Sequence, residues 1–416
     1  MQLVQRFVIL MALTGALSGC AANALDRMGD AMPSMPSMSS MPSMSSMPSM
    51  SSMPSMPDMP SMSNLLGRKP PKDPVEVPIF VASTRSTPAK ANIRRAGTEG
   101  SANFSMLTVS VPPNHTPGSI ELPNFGRPDK RSHFVLADER TLSRDDLTRQ
   151  IATQLAGRVG SSRDILVFVH GYNTGAEEAR RRLAQIVADS HFTGLPVLFN
   201  WPTRGELSAY VSDKDSATAS RDALSRLFVD LSQTPSVGRL HVLAHSMGAW
   251  LGMEALREAS ISGHQGLNGR LGEVMLAAPD IDLAVFRQQL AKLGTVHVTV
   301  FASAGDRALS LSSLIARDRP RVGALDPRKP NERLELTRLG VTLYDLSGLS
   351  SGLIGHDVYA DAPEVIRLIG TELARAPSED VPTTPPAGEA GAEAKSAEAK
   401  SAQSLIKADD LPPPNL

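Results

Sequence analysis

One serine stands out for its surroundings, in the run Val242-Leu243-Ala244-His245-Ser246-Met247-Gly248, where the residues two positions to either side are small. This spacing suits a nucleophile elbow, a sharp strand-to-helix reversal that leaves a serine Oγ exposed beyond the edge of a sheet, where bulkier neighbours would collide. The upstream position is most often glycine; here Ala244 keeps the small side chain. An apolar run over residues 240–243 precedes the serine, and Ala249, Leu251, Met253 and Leu256 follow it, supplying the strand and helix that such a turn joins. Ser246 is the candidate nucleophile.

A serine hydroxyl attacks poorly until a base takes its proton, and the base needs a carboxylate to fix its tautomer and stabilise the imidazolium. Sheets that carry such elbows supply these groups in the order serine, acid, histidine. Of the nine histidines only His264, His297 and His356 follow Ser246, and the first two come too early to follow an acid on a later strand. His356 is therefore the expected base, in a loop between the last strand-like run and the closing helix. For the acid, the buried run 298–302 leads into Ser303-Ala304-Gly305-Asp306, and the carboxyl ends of parallel strands are where ligands and catalytic groups gather. Asp306 is the expected acid. Asp280 and Asp282, one strand earlier, are its rivals, and either also suits a helix cap.

The run His170-Gly171-Tyr172-Asn173-Thr174-Gly175 follows another buried strand. A backbone N–H of Gly171 or Tyr172, paired with that of Met247, would form an oxyanion hole, in which one donor is typically worth ~3 kcal/mol. Trp201, Tyr210 and Asp213 follow a strand on the same presumed edge. They suit either a substrate pocket or, equally, core and loop positions.

The elements that must hold these groups alternate along the central chain. Strand-like runs fall at residues 78–83, 106–111, 134–137, 165–170, 197–201, 240–244, 273–277, 296–302 and 341–345, with amphipathic helical segments between most of them. Such alternation predicts an α/β fold with a mostly parallel sheet, its early strands forming an antiparallel edge. Ser143 with Asp146, and Thr174 with Glu177, resemble capping boxes. Leu147, Ile151 and Leu155 define one buried helical face, and a further helix from about Thr218 turns Ala223, Leu224, Leu227, Phe228 and Leu231 inward. About eighteen residues separate Ala278 from Val296, room for a single helix and too few for a large cap. Any cover over the site must come from residues 203–217 or the N-terminal strands.

His170-Gly171-Tyr172-Asn173, Asn200-Trp201-Pro202-Thr203, Ala244-His245-Ser246-Met247-Gly248, Ala277-Ala278-Pro279-Asp280 and Ser303-Ala304-Gly305-Asp306-Arg307-Ala308-Leu309 occur in that order. Together they resemble a bacterial α/β-hydrolase family of esterase/lipase type whose function is unassigned. The resemblance covers about residues 75–375. It implies the α/β-hydrolase fold, with a mostly parallel central sheet and helices on both faces, and the Ser246, Asp306, His356 machinery; it implies no substrate.

The two ends carry a different message. Arg6, an 11-residue apolar run over residues 7–17, and Leu17-Ser18-Gly19-Cys20 look like a bacterial lipoprotein signal. The run is too short for a bilayer, which takes ~20 residues. By that resemblance residues 1–19 are removed and Cys20, the chain's single cysteine, carries the lipid. Ala21 in place of an aspartate suggests, by analogy with lipoprotein sorting, the outer membrane of the cell envelope, with the protein facing the periplasm. Residues 20–74 contain repeated Met-Pro-Ser and Met-Ser-Ser triplets, and 11 of the 18 methionines lie within residues 32–62. Proline blocks helix and ladder bonds there, so the segment reads as a solvated tether, of which residues 32–62 could span up to ~95 Å if polyproline-like. Residues 377–416, with a repeated Ala-Glu-Ala-Lys-Ser unit, hold too few large apolar side chains for a core and read as a disordered tail. The hydrolase domain is left as residues 75–376.

A net charge of −1 with 4% aromatic residues offers neither a basic face nor a stacking ladder, so nucleic acid is not an expected partner. No spaced set of histidine, cysteine and acid suggests a metal, and no cofactor is expected. The sequence thus supports a lipid-anchored serine hydrolase acting on carboxylic esters, of small molecules or lipids. Its alternative is a non-catalytic envelope lipoprotein that uses a hydrolase fold as a binding or assembly module.

Overall fold

Runs of Val, Ile, Leu and Phe with no polar alternation cannot face water on either side, and the chain stacks them into one sheet. The computed structural model describes residues 72–85, 102–204, 209–303, 320–326, 328–349 and 358–375, with the backbone of 405–407. All belong to the second of two units, Pro70–Leu416. The signal segment, Cys20, nearly all of the tether, Asp306 and His356 lie outside the described residues.

In chain order the strands are β1 (Val75–Ser83), β2 (Asn103–Val111), β3 (Val135–Leu142), β4 (Ile165–Val169), β5 (Leu195–Asn200), β6 (Leu240–His245), β7 (Leu271–Ala277), β8 (Val298–Ala302), β9 (Thr342–Asp345) and β10 (Leu405–Lys407). They lie in the spatial order β10-β9-β8-β7-β6-β4-β5-β1-β2-β3. β2 pairs antiparallel with β1 and β3, and every other neighbouring pair is parallel. The inversion of β4 and β5 in this order makes a switch point, and the carboxyl ends of β4 and β6 open side by side there. All nine strand-like runs form strands. β10 is the addition: three residues of the 377–416 segment pair with the otherwise open edge of β9.

The longer helices are α1 (Arg144–Leu155), α2 (Ala176–Asp189), α3 (Tyr210–Gln233), α4 (Met247–Ile261), α5 (Leu283–Leu293), α6 (Pro330–Arg338) and α7 (Pro363–Ala374). Ser143 caps α1 by accepting from the Asp146 N–H, as its sequence suggests. α2 starts one residue later than the Thr174–Glu177 spacing predicts: Gly175 is the cap, and its N–H donates to the Glu178 carboxylate. α3 starts at Tyr210, eight residues before the expected Thr218. Its first two turns are polar, and buried Asp213 there accepts from the Arg204 N–H. Residues 210–217 of the 203–217 stretch are therefore helix. Between β7 and β8 the single helix α5 fills the connection, as its length requires.

Two apolar layers cover the sheet. α3, α4 and α5 bury one face around Leu224, Phe228, Met253 and Phe286, while α2 and α7 bury the other around Leu183, Ile186, Val365 and Ile369. His115 clamps the connection after β2 onto α2. Its nitrogens lie 2.9 Å from Glu121 Oε2 and 2.9 Å from Asp189 Oδ1. Burial works against the protonated ring, but hydrogen bonds to Asp189 and Glu121 outweigh it and hold His115 above the ordinary histidine value, while Asp189 is held below the carboxylate range. With a raised folded pKa, the clamp's stabilisation is complete below ~6.5 and is lost as pH rises through the folded value. Urea unfolding midpoints should therefore fall between pH 6 and pH 9 more steeply in the natural protein than in His115→Gln.

Candidate functional site

β6 is buried along its whole length and ends at His245. The next residue, Ser246, takes φ 54° and ψ −122°, and α4 begins immediately after it. This region suits glycine and costs an L-residue about 1–3 kcal/mol. The neighbours hold it there. The Ser246 N–H donates to Ala277 O at 2.9 Å, and its carbonyl accepts from the Asp280 N–H at 3.2 Å and the Ala249 N–H at 3.0 Å.

Two absent side chains let the turn close. A Cβ on Gly248 would lie 2.1 Å from His170 O and 2.7 Å from Val169 O, so α4 passes against the end of β4 only because position 248 is glycine. A Cβ on Gly171 would lie 2.5 Å from His245 Nδ1 and 3.2 Å from Ser246 Cβ. The Gly171-Tyr172 segment is thus packed directly on the elbow, facing the start of α4 where Met247 is the first helical residue. Unpaired N–H groups and the macrodipole make a helix start favourable to negative charge.

The loop carrying Gly171 is fixed from beneath. His170 is fully buried, its nitrogens 2.9 Å from Gly171 O and 3.1 Å from Asn200 Oδ1. Burial pushes its pKa down to about 4, so the ring is neutral near pH 7. Trp201 stacks on it with centroids 5.3 Å apart and donates its indole N–H to His170 O at 2.8 Å. Trp201 has no exposed surface. It is a core residue that positions the β4 loop, and the substrate-pocket reading of it does not survive. Asp213, equally buried, is likewise structural.

Sequence reasoning gives no role to Arg85, at the carboxyl end of β1. Its guanidinium donates to Asn200 Oδ1 at 2.8 Å, Thr174 O at 2.7 Å and Thr203 O at 3.3 Å, tying together the loops after β4 and β5. A lone arginine directly after an apolar strand is the only sequence signal for it.

A second polar group lies on the other side of the elbow. Asp280, whose backbone holds the Ser246 carbonyl, is 2% exposed and accepts from the Tyr210 hydroxyl at 2.5 Å, with Arg321 Nε 3.2 Å from its other oxygen. Tyr210 also meets Tyr172 edge-on at 5.7 Å, linking this group to the Gly171 side. Lys214 places its ammonium 3.6 Å over the Trp250 ring, and burial lowers its pKa to about 7 against the pull of Asp280. Asp282, by contrast, caps α5 through the Ala284 and Val285 N–H groups. The described residues therefore bring Ser246, Met247, Gly171, Tyr172, Tyr210 and Asp280 together. Asp306 and His356 follow β9's neighbour β8 and β9 itself in the chain, outside the described residues.

Residues 143–372, more than half of the chain, match the family described as alpha/beta hydrolase of unknown function (DUF900). The chain belongs to this alpha/beta hydrolase family. No curated protein sequence matches the hydrolase significantly. Among solved structures, it is similar to carboxyl esterase 2 from the mycorrhizal fungus Tuber melanosporum, at 12% identity over 68% of this chain and 89% of that one, with a TM-score of 0.35. It is also similar to a lipase-esterase related protein from Clostridium acetobutylicum ATCC 824, at 12% identity over 50% and 82% of the two chains, with a TM-score of 0.21.

The backbone at the elbow makes a direct prediction. Glycine relieves the torsional cost at position 246, whereas alanine keeps it, and glycine's extra freedom in the unfolded chain offsets only about 0.4–1 kcal/mol. Ser246→Gly should therefore be more stable than Ser246→Ala by about 1 kcal/mol in denaturant titration. The reverse order would mean that the turn is unstrained.

Proposed function

We propose that this hydrolase cleaves carboxylic esters through an acyl-enzyme on Ser246. The observation that carries the reading is the glycine-like backbone of Ser246 between a buried strand and a helix start, with Gly171 packed against it. Ser246 Oγ attacks the ester carbonyl carbon while His356 takes its proton and Asp306 orients the imidazole. The developing oxyanion sits against the backbone N–H groups of Met247 and of Gly171 or Tyr172, where preorganised donors act most strongly. Collapse breaks the ester C–O bond, and His356 returns the proton to the departing alcohol. Water, deprotonated by the same imidazole, then attacks the acyl-enzyme and releases the carboxylic acid and free serine. Tyr210 borders the acyl or alcohol side, since its ring lies between Tyr172 and Asp280.

In the same reading Cys20 carries a lipid, and the 20–74 segment tethers the domain to a bacterial envelope membrane, the outer membrane by the sorting argument, facing the periplasm. Substrates are then small-molecule or lipid esters that reach that surface.

A fluorophosphonate probe tests the nucleophile: one label per chain is expected, absent in Ser246→Ala. Hydrolysis of a series of p-nitrophenyl acyl esters should fall by about 10⁴-fold or more in Ser246→Ala and His356→Ala. If Asp306→Asn keeps near-normal rates while Asp280→Asn collapses, the acid belongs one strand earlier. A chain that takes no label and cleaves no acyl ester overturns the proposal.

A further inference from the structure

At the opposite end of the strands from Ser246, three side chains far apart in sequence converge. Glu273 lies near the start of β7, His297 immediately precedes β8, and Glu372 is in the last turns of α7. Glu273 is about 13 Å along β7 from Ala277, the residue that holds the elbow. One ligand atom from each of the three lies within 4.8 Å of the others. Glu273 and Glu372 are 5% and 1% exposed, so two carboxylates are buried close together.

Each of the three is oriented by its own hydroxyl. Thr299 Oγ1 donates to Glu273 Oε1 at 2.7 Å, Tyr344 OH donates to Glu372 Oε1 at 2.7 Å, and Thr342 Oγ1 lies 2.9 Å from His297 Nε2. The inward atoms are left facing one another. His297 Nδ1 is 2.7 Å from both Glu273 oxygens. Glu372 Oε2 is buried and has no hydrogen-bond partner, a costly state for any buried polar atom. Ligands held by outer hydrogen bonds, with an unsatisfied buried oxygen among them, are the organisation of a metal centre.

We infer that Glu273, His297 and Glu372 form a zinc-class divalent-cation site that fastens α7 to the starts of β7 and β8. One imidazole and two carboxylates suit a borderline ion such as zinc and leave a further position for water. Coordination at His297 Nδ1 puts the ring proton on Nε2, which then donates to Thr342. Arg375, now 3.2 Å from that nitrogen and 40% exposed at the rim, keeps its bond to Glu372 Oε1. Two carboxylates balance the ion's two charges. The site is separate from the elbow, so its role is to hold the closing helix.

The test is binding of zinc chloride to the full-length protein after chelator treatment, by calorimetry and by melting temperature. One equivalent should bind and raise the melting temperature. Glu372→Gln and His297→Gln should each weaken binding by about 100-fold or more, and Thr299→Val, which removes only an orienting bond, by about 10-fold. No binding by the natural protein, or equal binding by all variants, overturns the assignment. If the variants fail to fold, X-ray absorption at the zinc edge of the natural protein decides. One imidazole among oxygen donors supports the site, and any other shell overturns it.

Discussion

The reversal at Ser246 is the constraint around which the surrounding structure is arranged. An L-residue remains in a glycine-like conformation only where its surroundings over-determine it. Here the ends of β4 and β7 do so. β7 supplies Ala277 O for the Ser246 N–H, and the following turn supplies the Asp280 N–H for its carbonyl. β4 supplies two carbonyls so close to α4 that only glycine fits at position 248. The parallel sheet is what aligns those ends, since β4 and β7 both flank β6 and pair with it towards its carboxyl end.

The layer beneath the site is polar and built to be immobile. His170, Asn200, Arg85 and the Trp201 indole lie within hydrogen-bonding distance of one another and of the carbonyls of the β4 and β5 loops. Removing one member would leave a buried donor or acceptor unpaired, a larger penalty than the bond's own net worth. Across the elbow, Tyr210 donates a hydrogen bond to Asp280 and Arg321 pairs with it by charge. The turn is held on both sides by networks whose members sit at strand ends and helix starts, where few torsions are free.

How much of this is legible in the sequence depends on which force writes it. Buried parallel strands must be apolar on both faces, so all nine runs can be read directly, and the elbow declares itself through Ala244 and Gly248. The start of α3 is illegible because Ser212, Asp213, Lys214 and Asp215 carry no apolar stripe; Asp213 is buried there in a contact with the Arg204 N–H that no local pattern announces. Trp201 misleads because a tryptophan after a strand suits a pocket wall and a core equally, and only its bond to His170 O separates them. Arg85 and the Glu273, His297, Glu372 cluster depend on contacts between distant segments, which no local spacing encodes. Asp306 and His356 rest on motif order.

The sheet also differs at its two rims. On one side β3 carries exposed Asp138, Glu139 and Arg140, with a register shift opposite Met106 and Thr108 and a positive φ at Asp138. On the other, β10 from the chain's own tail pairs with β9. A kinked, charged border is a poor template for a foreign strand, and an edge strand of only three residues offers little backbone to pair with. Molecules packed side by side can therefore collide along these rims without knitting their backbones into a shared polymer.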